Sequence, residues 1–572
     1  MRNAEIAQIL REIAGYYEMK NEPFKPRAYE KAADALQSFD EQAADIYKTG
    51  GVKALLKIPG VGPGIADHIQ ELVKTGHLKK YEQMKKKMPV NLTELTSIEG
   101  VGAKTAQALY QKLKVKNLKD LKKATRAHLV ARAFGKKTEE NIIRALEVQS
   151  SFTKRYLLGL IYPVIEKLRA SLEASGLFDK LEVGGSYRRR QETLGDIDLP
   201  ATAKNPARAM EYFENLKDAA RVTEHGKTKS VIKLDNGMQV DLRVVPKESW
   251  GAALQYFTGD LAHNIKMRKL AVDKGWKLSE YGLFRGEKNL LTKGSEQEVY
   301  EKLGFKQMPP PEIRTDSGEI EAGLAGKLPK LINYGDVRGD LQVQTNWTDG
   351  TATIQEMAEA AMKLGREYIA ITDHTKALAM TGGLDEKKLE KQGKEIDQVN
   401  AKLKGKMRIL KGAEVNILKD GSLDIDDATL AKLEVVGVSI HSHFKMSRED
   451  MTKRIIRALS NPHVDIFFHP TTRIIQKRAP IDFDFAAILK AAKKYGTAIE
   501  IDAYPDRLDI HDTMIRQAVE AGVKLVIDTD AHSIKHLDSI HYGEAQARRG
   551  WATKYDVLNT KPAAELLKYL KR

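Results

Sequence analysis

The sequence contains no cysteine, which excludes disulfide bonds and thiolate metal sites. Any metal ion must therefore be held by His, Asp and Glu. The sequence also lacks an apolar run of the roughly 20 residues needed to cross a bilayer, and its N-terminus lacks the features of a signal peptide. We expect a cytoplasmic protein that does not bind membranes.

The length of 572 residues predicts several domains, because hydrophobic cores stop growing at about 250–300 residues. A composition of 42% hydrophobic and 30% charged residues is typical of soluble globular proteins. The net charge is +16, and residues 51–150 carry 20 Lys and Arg against 9 Asp and Glu. Such a basic region favours a polyanionic partner, although charge alone is equally compatible with a solvated lysine-rich helical face.

The apolar pattern changes along the chain. Residues 1–150 have helix-period spacing broken by Gly and Pro, which predicts an all-helical region. From about residue 181, short β-rich runs between helices predict an α+β region with an antiparallel sheet. The segment 306–336, rich in Pro, Gly and charge, is the candidate linker. Beyond it, buried strands alternate with helices, which is typical of a β/α barrel with functional groups at the strand ends.

Two glycine hairpins lie in the basic region, LKIPGVGPGIADHI (56–69) and LTSIEGVGAKTAQAL (95–109). Gly60 and Gly62 in the first, and Gly100 and Gly102 in the second, permit positive φ and leave room for a phosphate beside a helix N-terminus. Glycine turns between helices are common, but two copies in a basic region favour nucleic acid. Both resemble helix-hairpin-helix modules, which hold a DNA backbone, and Lys104 is a candidate DNA contact in the second.

Three aspartates form the predicted catalytic centre. Asp196 and Asp198 are two apart in a β-like run, so their side chains share one face of a strand. Asp241 lies in the alternating run MQVDLRVV, which suits a neighbouring strand. Clustered carboxylates repel one another unless cations bind them, and oxygen ligands favour Mg²⁺ or Mn²⁺. Two such ions can assist phosphoryl displacement, whereas an isolated D-x-D is more often an ordinary loop-edge pair.

Residues 1–305 resemble the family X DNA polymerases, through GGSYRRRQETLGDIDLP (184–200), YFTGDLAHNIKMR (256–268) and KGWKLSEYGLF (274–284). The resemblance implies metal binding by the three aspartates and deprotonation of the primer 3′-hydroxyl with help from Asp241. It also implies a set of nucleotide contacts. These are Gly185, Ser186 and Arg189 at the triphosphate, Tyr256 and Phe257 with Gly259 around the sugar, Asn264 at the base edge, and Arg268 at the template strand.

Three positions depart from the family pattern or qualify its expected activity. Pro200 replaces an apolar residue after the second aspartate and lacks an N–H for the sheet, which an edge or strand-end position would tolerate. His68 stands where lyase-competent relatives have a Schiff-base lysine, and Gly64 stands at a phosphate-binding lysine position. Histidine is not an amine nucleophile, so we predict no strong lyase activity. Lys25 still fits a contact to a 5′-phosphate.

Residues 337–572 resemble a PHP domain, a metallophosphoesterase barrel with a trinuclear metal site. The resemblance implies seven ligands, Asp349, His374, Glu414, His441, His469, Asp530 and His532. Mn²⁺, Zn²⁺ or Fe²⁺ suit such a mixture. The family usually has His-x-His on the first strand, where this sequence has Gln342 and Gln344, and an amide oxygen is a poorer ligand than imidazole. We expect the position shared with Glu414 and Asp530 to be weak or lost. The sets Glu414, His441, His469 and Asp349, His374, His532 look intact.

The predicted fold is therefore multidomain, with helical N-terminal domains, a nucleotidyltransferase palm and a distorted C-terminal β/α barrel. The predicted domains are 1–85 with the first hairpin, 86–150 with the second, 151–245 as the palm, 246–305 as a closing subdomain, 306–336 as the linker, and 337–572 as the barrel.

The predicted function is gap filling in DNA, in base excision repair, with gapped or primer–template DNA and dNTPs as partners and a monomeric protein in the bacterial cytoplasm and nucleoid. The barrel would be a 3′–5′ exonuclease or an endonuclease at abasic sites, impaired by Gln342 and Gln344. Two alternatives remain: the barrel carries the main activity, or the chain is a DNA-end scaffold with vestigial sites.

Overall fold

The computed structural model describes residues 1, 3–38, 42–58, 60–96, 98, 100–152, 155–286 and 289–570. The chain divides into two compact units, Met1–Thr153 with Gln476–Ala479, and Lys154–Ile475 with Pro480–Arg572. Among the helices within these described ranges, none is long and apolar enough to span a membrane.

The described part of residues 1–150 contains helices and turns and no strand, as predicted. Its helices are α1 (Asn3–Met19), α2 (Lys25–Ser38), α3 (Ala43–Leu55), α4 (Pro63–Thr75), α5 (Lys79–Lys87), α6 (Leu92–Thr96), α7 (Ala103–Leu113), α8 (Leu118–Arg126), α9 (Leu129–Phe134) and α10 (Lys136–Phe152). The apolar stripe of α1, formed by Ile6, Leu10 and Ile13, is fully buried and packs in one core with Leu72 of α4 and Leu109 of α7. Both glycine hairpins are thus built onto a common core.

The palm contains the strands that carry the three aspartates. Its elements are β1 (Tyr156–Leu157), α11 (Leu158–Ala174), β2 (Lys180–Leu181), α12 (Gly185–Arg188), β3 (Thr193–Leu194), β4 (Asp196–Thr202), α13 (Pro206–Glu214), β5 (Ala219–Glu224), β6 (Lys229–Leu234) and β7 (Gln239–Val244). The five-stranded sheet has the order β2-β4-β7-β6-β5. The prediction of an antiparallel sheet is wrong for its centre, because β4 and β7 pair in parallel. The intervening α13, β5 and β6 form the crossover that a parallel pair requires.

Pro200 lies inside β4, where the sheet tolerates it for a local reason. Its carbonyl accepts a hydrogen bond from the Glu182 backbone N–H at 3.2 Å, on the side of β2. The N–H and C=O of a strand residue point to the same side. The donor that proline lacks therefore faces the side on which β2 has already ended at Leu181.

The closing subdomain follows the palm, with α14 (Trp250–Thr258), α15 (Leu261–Asp273), β8 (Trp276–Ser279), β9 (Gly282–Arg285), β10 (Asn289–Leu290) and α16 (Glu296–Leu303). The segment 306–336 that was the candidate linker contains a 3₁₀ turn at Pro311–Ile313 and α17 (Glu319–Ala325). Arg314 and Glu319 in this segment are fully buried.

The C-terminal region is a nearly closed parallel barrel. Its elements are β11 (Gly339–Val343), α18 (Ile354–Lys363), β12 (Tyr368–Ile371), α19 (Glu386–Leu403), β13 (Arg408–Asn416), α20 (Asp427–Leu430), β14 (Val435–Ser439), α21 (Arg448–Leu459), β15 (Ile466–Phe467), α22 (Phe485–Tyr495), β16 (Ala498–Asp502), α23 (Asp512–Ala521), β17 (Leu525–Asp528), α24 (Ile540–Arg549) and α25 (Ala563–Leu570). Seven strands pair in sequence order, and a parallel bridge from Val343 to Ala531 joins the first strand to the residues after the last. The barrel prediction is confirmed.

Candidate active sites

The three palm aspartates are brought together by the parallel register of β4 and β7. Asp198 is paired directly with Asp241, and Asp196 is paired with Gln239 one step along the same face. The alternate residues Ile197 and Val240 are fully buried on the other face of the sheet. Because side chains alternate along a strand, one face of the sheet packs against the core and the other carries the carboxylates.

Burial and mutual repulsion disfavour the charged forms of two of these aspartates. Burial, and then the charges of Asp196 and Asp241, raise the pKa of Asp198 to about 7. Burial also raises the pKa of Asp241, although a hydrogen bond from Gln239 Nε2 to its Oδ1 at 2.8 Å opposes the shift. Divalent cations relieve the repulsion of adjacent carboxylates.

The glycines of the motif permit close approach to Asp198. Gly185 has φ +59, and a Cβ there would lie 2.6 Å from Asp198 Oδ2. The Gly184 backbone N–H donates to the Asp198 carbonyl at 2.8 Å, and a Cβ at Gly184 would lie 3.1 Å from Phe257. Ser186 follows in α12 and is half-buried. The motif is therefore packed against both the aspartates and the YFTG segment.

The residues predicted to contact the nucleotide lie near one another, but their present contacts within the protein differ. Arg189 is half-buried and donates from Nη1 to the Thr258 carbonyl at 2.7 Å, and burial lowers its pKa. The rings of Tyr256 and Phe257 meet edge to face, with centroids 5.2 Å apart. A Cβ at Gly259 would lie 2.7 Å from Asn264 Oδ1.

Asn264 is engaged with the backbone at the end of α14. Its Nδ2 donates to the carbonyls of Tyr256 and Gly259 at 2.8 and 3.0 Å, and its Oδ1 accepts from Gln255 Nε2 at 2.8 Å. Both hydrogens of Nδ2 are therefore in use, whereas Oδ1 keeps a second lone pair that could accept a hydrogen bond from a base edge. Arg268 is exposed and donates from Nε to the Asn264 carbonyl at 3.3 Å.

Sequence reasoning missed a buried ion network between the palm and the closing subdomain. Glu296 accepts from Arg188 Nη1 and Nη2 at 2.8 and 3.0 Å and from Arg314 Nη1 at 2.5 Å. Arg188 Nη1 also donates to Thr258 Oγ1 at 2.7 Å. Because the three charged residues are far apart in sequence, the sequence contains no local signal for this network beyond the charges themselves.

The corresponding glycines of the two hairpins have similar backbone conformations. Gly60 and Gly100 have φ +77 and +84, and Gly62 and Gly102 cap α4 and α7 with extended backbone. A Cβ at Gly62 or Gly102 would meet no atom within 4 Å among the described residues. Lys104 is exposed in the first turn of α7. The open space beside each helix N-terminus is suited to a phosphate.

Lys25 and His68 lie near the first hairpin. Lys25 forms an ion pair with Glu22 at 2.8 Å, and its side chain is half exposed. His68 Nδ1 lies 2.9 Å from the Tyr29 hydroxyl, and burial lowers the pKa of His68. Gly64 is exposed in the first turn of α4.

In the barrel, six of the seven implied ligands follow strands, and Glu414 lies within β13. His374 Nδ1 lies 3.2 Å from Glu414 Oε2, and His374 Nε2 lies 3.6 Å from Asp349 Oδ2. His532 Nε2 lies 3.7 Å from Asp349 Oδ1. Ligand atoms of Asp349, His374 and His532 lie within 4.8 Å of one another, as do those of His374, Glu414 and His441. Both groups could hold a metal ion.

Glu414 is the centre of the second group. Its Oε1 lies 3.1 Å from His441 Nε2 and 2.8 Å from His469 Nε2. Burial opposes its ionisation, but His374 and His441 hold the pKa of Glu414 well below its usual range. Asn416 Oδ1 lies 2.8 Å from His441 Nδ1 and orients that ring, as the outer partners of metal-binding histidines do.

The first-strand glutamines are fully buried and stand where the resemblance implies a third cation position. Gln344 Nε2 donates to Glu414 Oε2 at 2.8 Å. Neither amide atom of Gln342 has a hydrogen-bond partner among the residues that the structure describes. Neutral amides replace imidazoles here, and one of them occupies a ligand oxygen of Glu414. The residues present therefore suit two cations better than a third, because an amide oxygen is a poorer ligand than an imidazole.

Four known families match separate parts of the chain. A helix-hairpin-helix domain matches residues 1–78, a SAM-like helix-hairpin-helix tandem matches 92–147, a DNA polymerase beta thumb matches 253–314, and a PHP domain matches 340–503. Together with the aspartate cluster between the second and third of these, they define a DNA polymerase joined to a PHP barrel.

Curated proteins extend this similarity over the whole chain. The DNA polymerase/3′-5′ exonuclease PolX of Bacillus subtilis (strain 168) is 37% identical over the full length of both chains. DNA polymerase lambda of Rattus norvegicus is 27% identical over 54% of this chain and 56% of its own. A probable phosphatase of Thermoanaerobacter sp. (strain X514) is 32% identical over 38% of this chain and 88% of its own. The chain therefore belongs to the family X DNA polymerases of the PolX type.

The family resemblance drawn from the motifs is thus confirmed, as is the prediction of a polymerase. DNA and dNTPs are the substrates of such an enzyme, and both its polymerase and its PHP families depend on metal ions.

Proposed function

We propose that the chain fills short gaps in DNA, in base excision repair, by two-metal nucleotidyl transfer at Asp196, Asp198 and Asp241. The observation that carries the proposal is the direct pairing of Asp198 with Asp241, with Asp196 on the same face. This register puts three carboxylates on one face of the sheet, which supports the proposal that two Mg²⁺ or Mn²⁺ ions bind there. Ions bound there would neutralise charge on the attacking and leaving oxygens of an in-line displacement.

The protein groups would orient the reactants. Asp241, half-buried with a raised pKa, would accept the proton of the primer 3′-hydroxyl. Gly185 and Ser186 would leave room for and donate to the triphosphate, and Arg189 would offer it a positive charge. The remaining contacts are proposed from the family resemblance and the position of the YFTG segment. They are Tyr256, Phe257 and Gly259 at the sugar, Asn264 at the base edge and Arg268 at the template.

The two hairpins would hold the DNA backbone without reading its sequence. Gly62 and Gly102 leave open space at the N-termini of α4 and α7, and Gly60 and Gly100 supply the positive φ that turns the chain. Lys104 and Lys25 would add contacts to phosphates, the latter to a 5′-phosphate. The binding is therefore expected to depend strongly on salt.

The barrel is proposed to hydrolyse phosphodiesters at DNA 3′ ends. Asp349, His374 and His532 would hold one ion, and Glu414, His441 and His469 a second, of Mn²⁺, Zn²⁺ or Fe²⁺. The His and carboxylate mixture supports such ions. Bound ions would supply an activated water for attack on phosphorus. Loss of the third position at Gln342 and Gln344 is proposed to lower this activity.

The domain division given above is proposed for the whole chain, which would act as a monomer in the bacterial cytoplasm and nucleoid. The proposed boundary between residues 150 and 151 lies within α10 (Lys136–Phe152).

The test is primer extension by Asp241→Asn, with Asp235→Asn as a matched control. Asp235 is exposed in the turn between β6 and β7. Asp241→Asn is expected to slow extension by at least about 10³-fold, because a metal-bridging charge is lost, while Asp235→Asn extends normally. Equal rates for the two variants would contradict the proposal.

A further inference from the structure

An arginine outside the predicted ligand set lies against two buried aspartates of the barrel. Arg507 Nε lies 3.6 Å from Asp530 Oδ2 and 3.5 Å from Asp502 Oδ2. The Asp530 and Asp502 side chains are 7% and 0% exposed. A buried carboxylate requires a positive partner or takes up a proton. Arg507 supplies positive charge at this point of the site.

This charge is located where the barrel suits a third cation poorly. By family resemblance, Asp530 shares that position with Gln342, Gln344 and Glu414. Gln344 donates to Glu414, whereas the Asp530 carboxylate faces Arg507 in an ion pair of 3.6 Å. Asp530 Oδ1 is buried and has no hydrogen-bond partner among the described residues.

The segment that carries Arg507 is held between the barrel and the palm. Leu508 is 1% exposed and packs in the palm core. Its carbonyl accepts hydrogen bonds from Arg473 Nη2 and, at 3.2 Å, from Gln546 Nε2. Glu192 of the palm accepts from the same two side chains at 2.5 and 2.8 Å. The backbone next to Arg507 is thus fixed by the palm.

We propose that Arg507 binds the phosphate of a DNA end in the barrel, supplying positive charge where Gln342 and Gln344 provide no metal position. The inference rests on the proposed two-cation site. The Arg507 side chain is 20% exposed, compared with 27% for His532. Its Nη1 is buried and has no hydrogen-bond partner within the described part of the chain, so this nitrogen has a donor to offer. A guanidinium stays charged at all relevant pH and matches phosphate geometry.

The proposal is tested by measuring how tightly inorganic phosphate binds to the full-length, Mn²⁺-loaded protein. Binding is detected as paramagnetic broadening of the phosphate ³¹P resonance. All variants carry Asp198→Asn so that palm-bound Mn²⁺ does not contribute. Arg507→Gln is expected to weaken phosphate binding at least about tenfold, as loss of a charged hydrogen bond does, with unchanged Mn²⁺ content. Arg507→Lys, which keeps the charge but loses the planar fork of the guanidinium, is expected to bind phosphate more weakly than the parent and more tightly than Arg507→Gln. Glu192→Gln, which loosens the hold on the Leu508 carbonyl, is expected to weaken binding by about threefold.

Asp349→Asn in the same background separates the two proposals. It removes a proposed metal ligand, so it is expected to lower both Mn²⁺ content and phosphate broadening. If it changes neither, the two-cation site is wrong. If it does change both, but Arg507→Gln binds phosphate as well as the parent, the role of Arg507 is wrong. If Arg507→Gln does not fold, the Glu192→Gln variant provides the test. If this variant binds phosphate with the same affinity as the parent, the palm does not position Arg507 for phosphate.

Discussion

Gly185→Ala would test whether the glycine of the palm motif is required by the position of the Asp198 carboxylate. Two effects combine in this substitution. The φ of +59 costs a residue with a Cβ about 1–2 kcal/mol of stability. The added Cβ would lie 2.6 Å from Asp198 Oδ2. An ordinary contact is about 3.5 Å, so the carboxylate must move by close to an ångström.

Misplacement of a reacting group by about 1 Å costs on the order of 10²-fold in rate. Gly185→Ala is therefore expected to slow single-nucleotide primer extension about 100-fold. Gly176→Ala is the matched control, because Gly176 also has positive φ, +66, but a Cβ there meets no described atom within 4 Å. It is expected to cost a similar 1–2 kcal/mol in urea unfolding and to extend primers within about twofold of the wild type.

If both variants extend primers at the same rate, the close approach of Gly185 to Asp198 has no role in catalysis. Hydrolysis of 3′ ends by the barrel serves as an internal reference, since neither substitution touches it.

Three further predictions concern metal, DNA and stability. A proton competes with Mg²⁺ for the Asp198 carboxylate, whose pKa is raised to about 7. The Mg²⁺ concentration for half-maximal extension should therefore rise about tenfold from pH 8 to pH 6. A constant concentration would contradict Mg²⁺ binding by Asp198. Gly62→Ala should weaken binding of gapped DNA at least about tenfold in fluorescence anisotropy, because the added Cβ obstructs a phosphate. Gly76→Ala, at the other end of α4, should cost about 1 kcal/mol of stability and leave the affinity unchanged. Equal affinities of the two variants would contradict phosphate binding at the first hairpin. Glu296→Gln leaves Arg188 and Arg314 without a buried counter-charge and should lower the free energy of unfolding in urea by about 3–5 kcal/mol. The control Glu301→Gln, at an exposed position, should lower it by under about 0.5 kcal/mol. Similar losses for the two variants would contradict a stabilising role of the ion network.

The shared face of the palm aspartates could be predicted because its signals are local. Asp196 and Asp198 share a face through the two-residue period of a strand, and the run around Asp241 alternates in the same way. The parallel pairing of the two strands could not be predicted from these runs. It depends on the crossover through β5 and β6, which places β7 beside β4, and the expectation of an antiparallel sheet was wrong for that reason.

The barrel ligands were accessible to sequence reasoning because strand ends in such a fold meet at one edge. His374 and Glu414 lie close together there as expected. Arg507 was missed because it is not a metal-ligand type and lies in a loop. Its position depends on Leu508 packing in the palm core, which no local pattern encodes. The aspartates near it in the sequence, Asp502 and Asp509, were the one available indication that Arg507 has acidic neighbours.

The most direct test of the account is extension of a primer across a one-nucleotide gap bearing a 5′-phosphate, with Mg²⁺ and then Mn²⁺, in the presence and absence of dNTPs. The account predicts addition of the one templated nucleotide when dNTPs are present. It also predicts slow shortening of the primer when they are omitted, and Asp349→Asn should abolish that shortening. Tight binding of the gapped DNA with no addition in either metal would contradict the central claim and identify the chain as a scaffold for DNA ends.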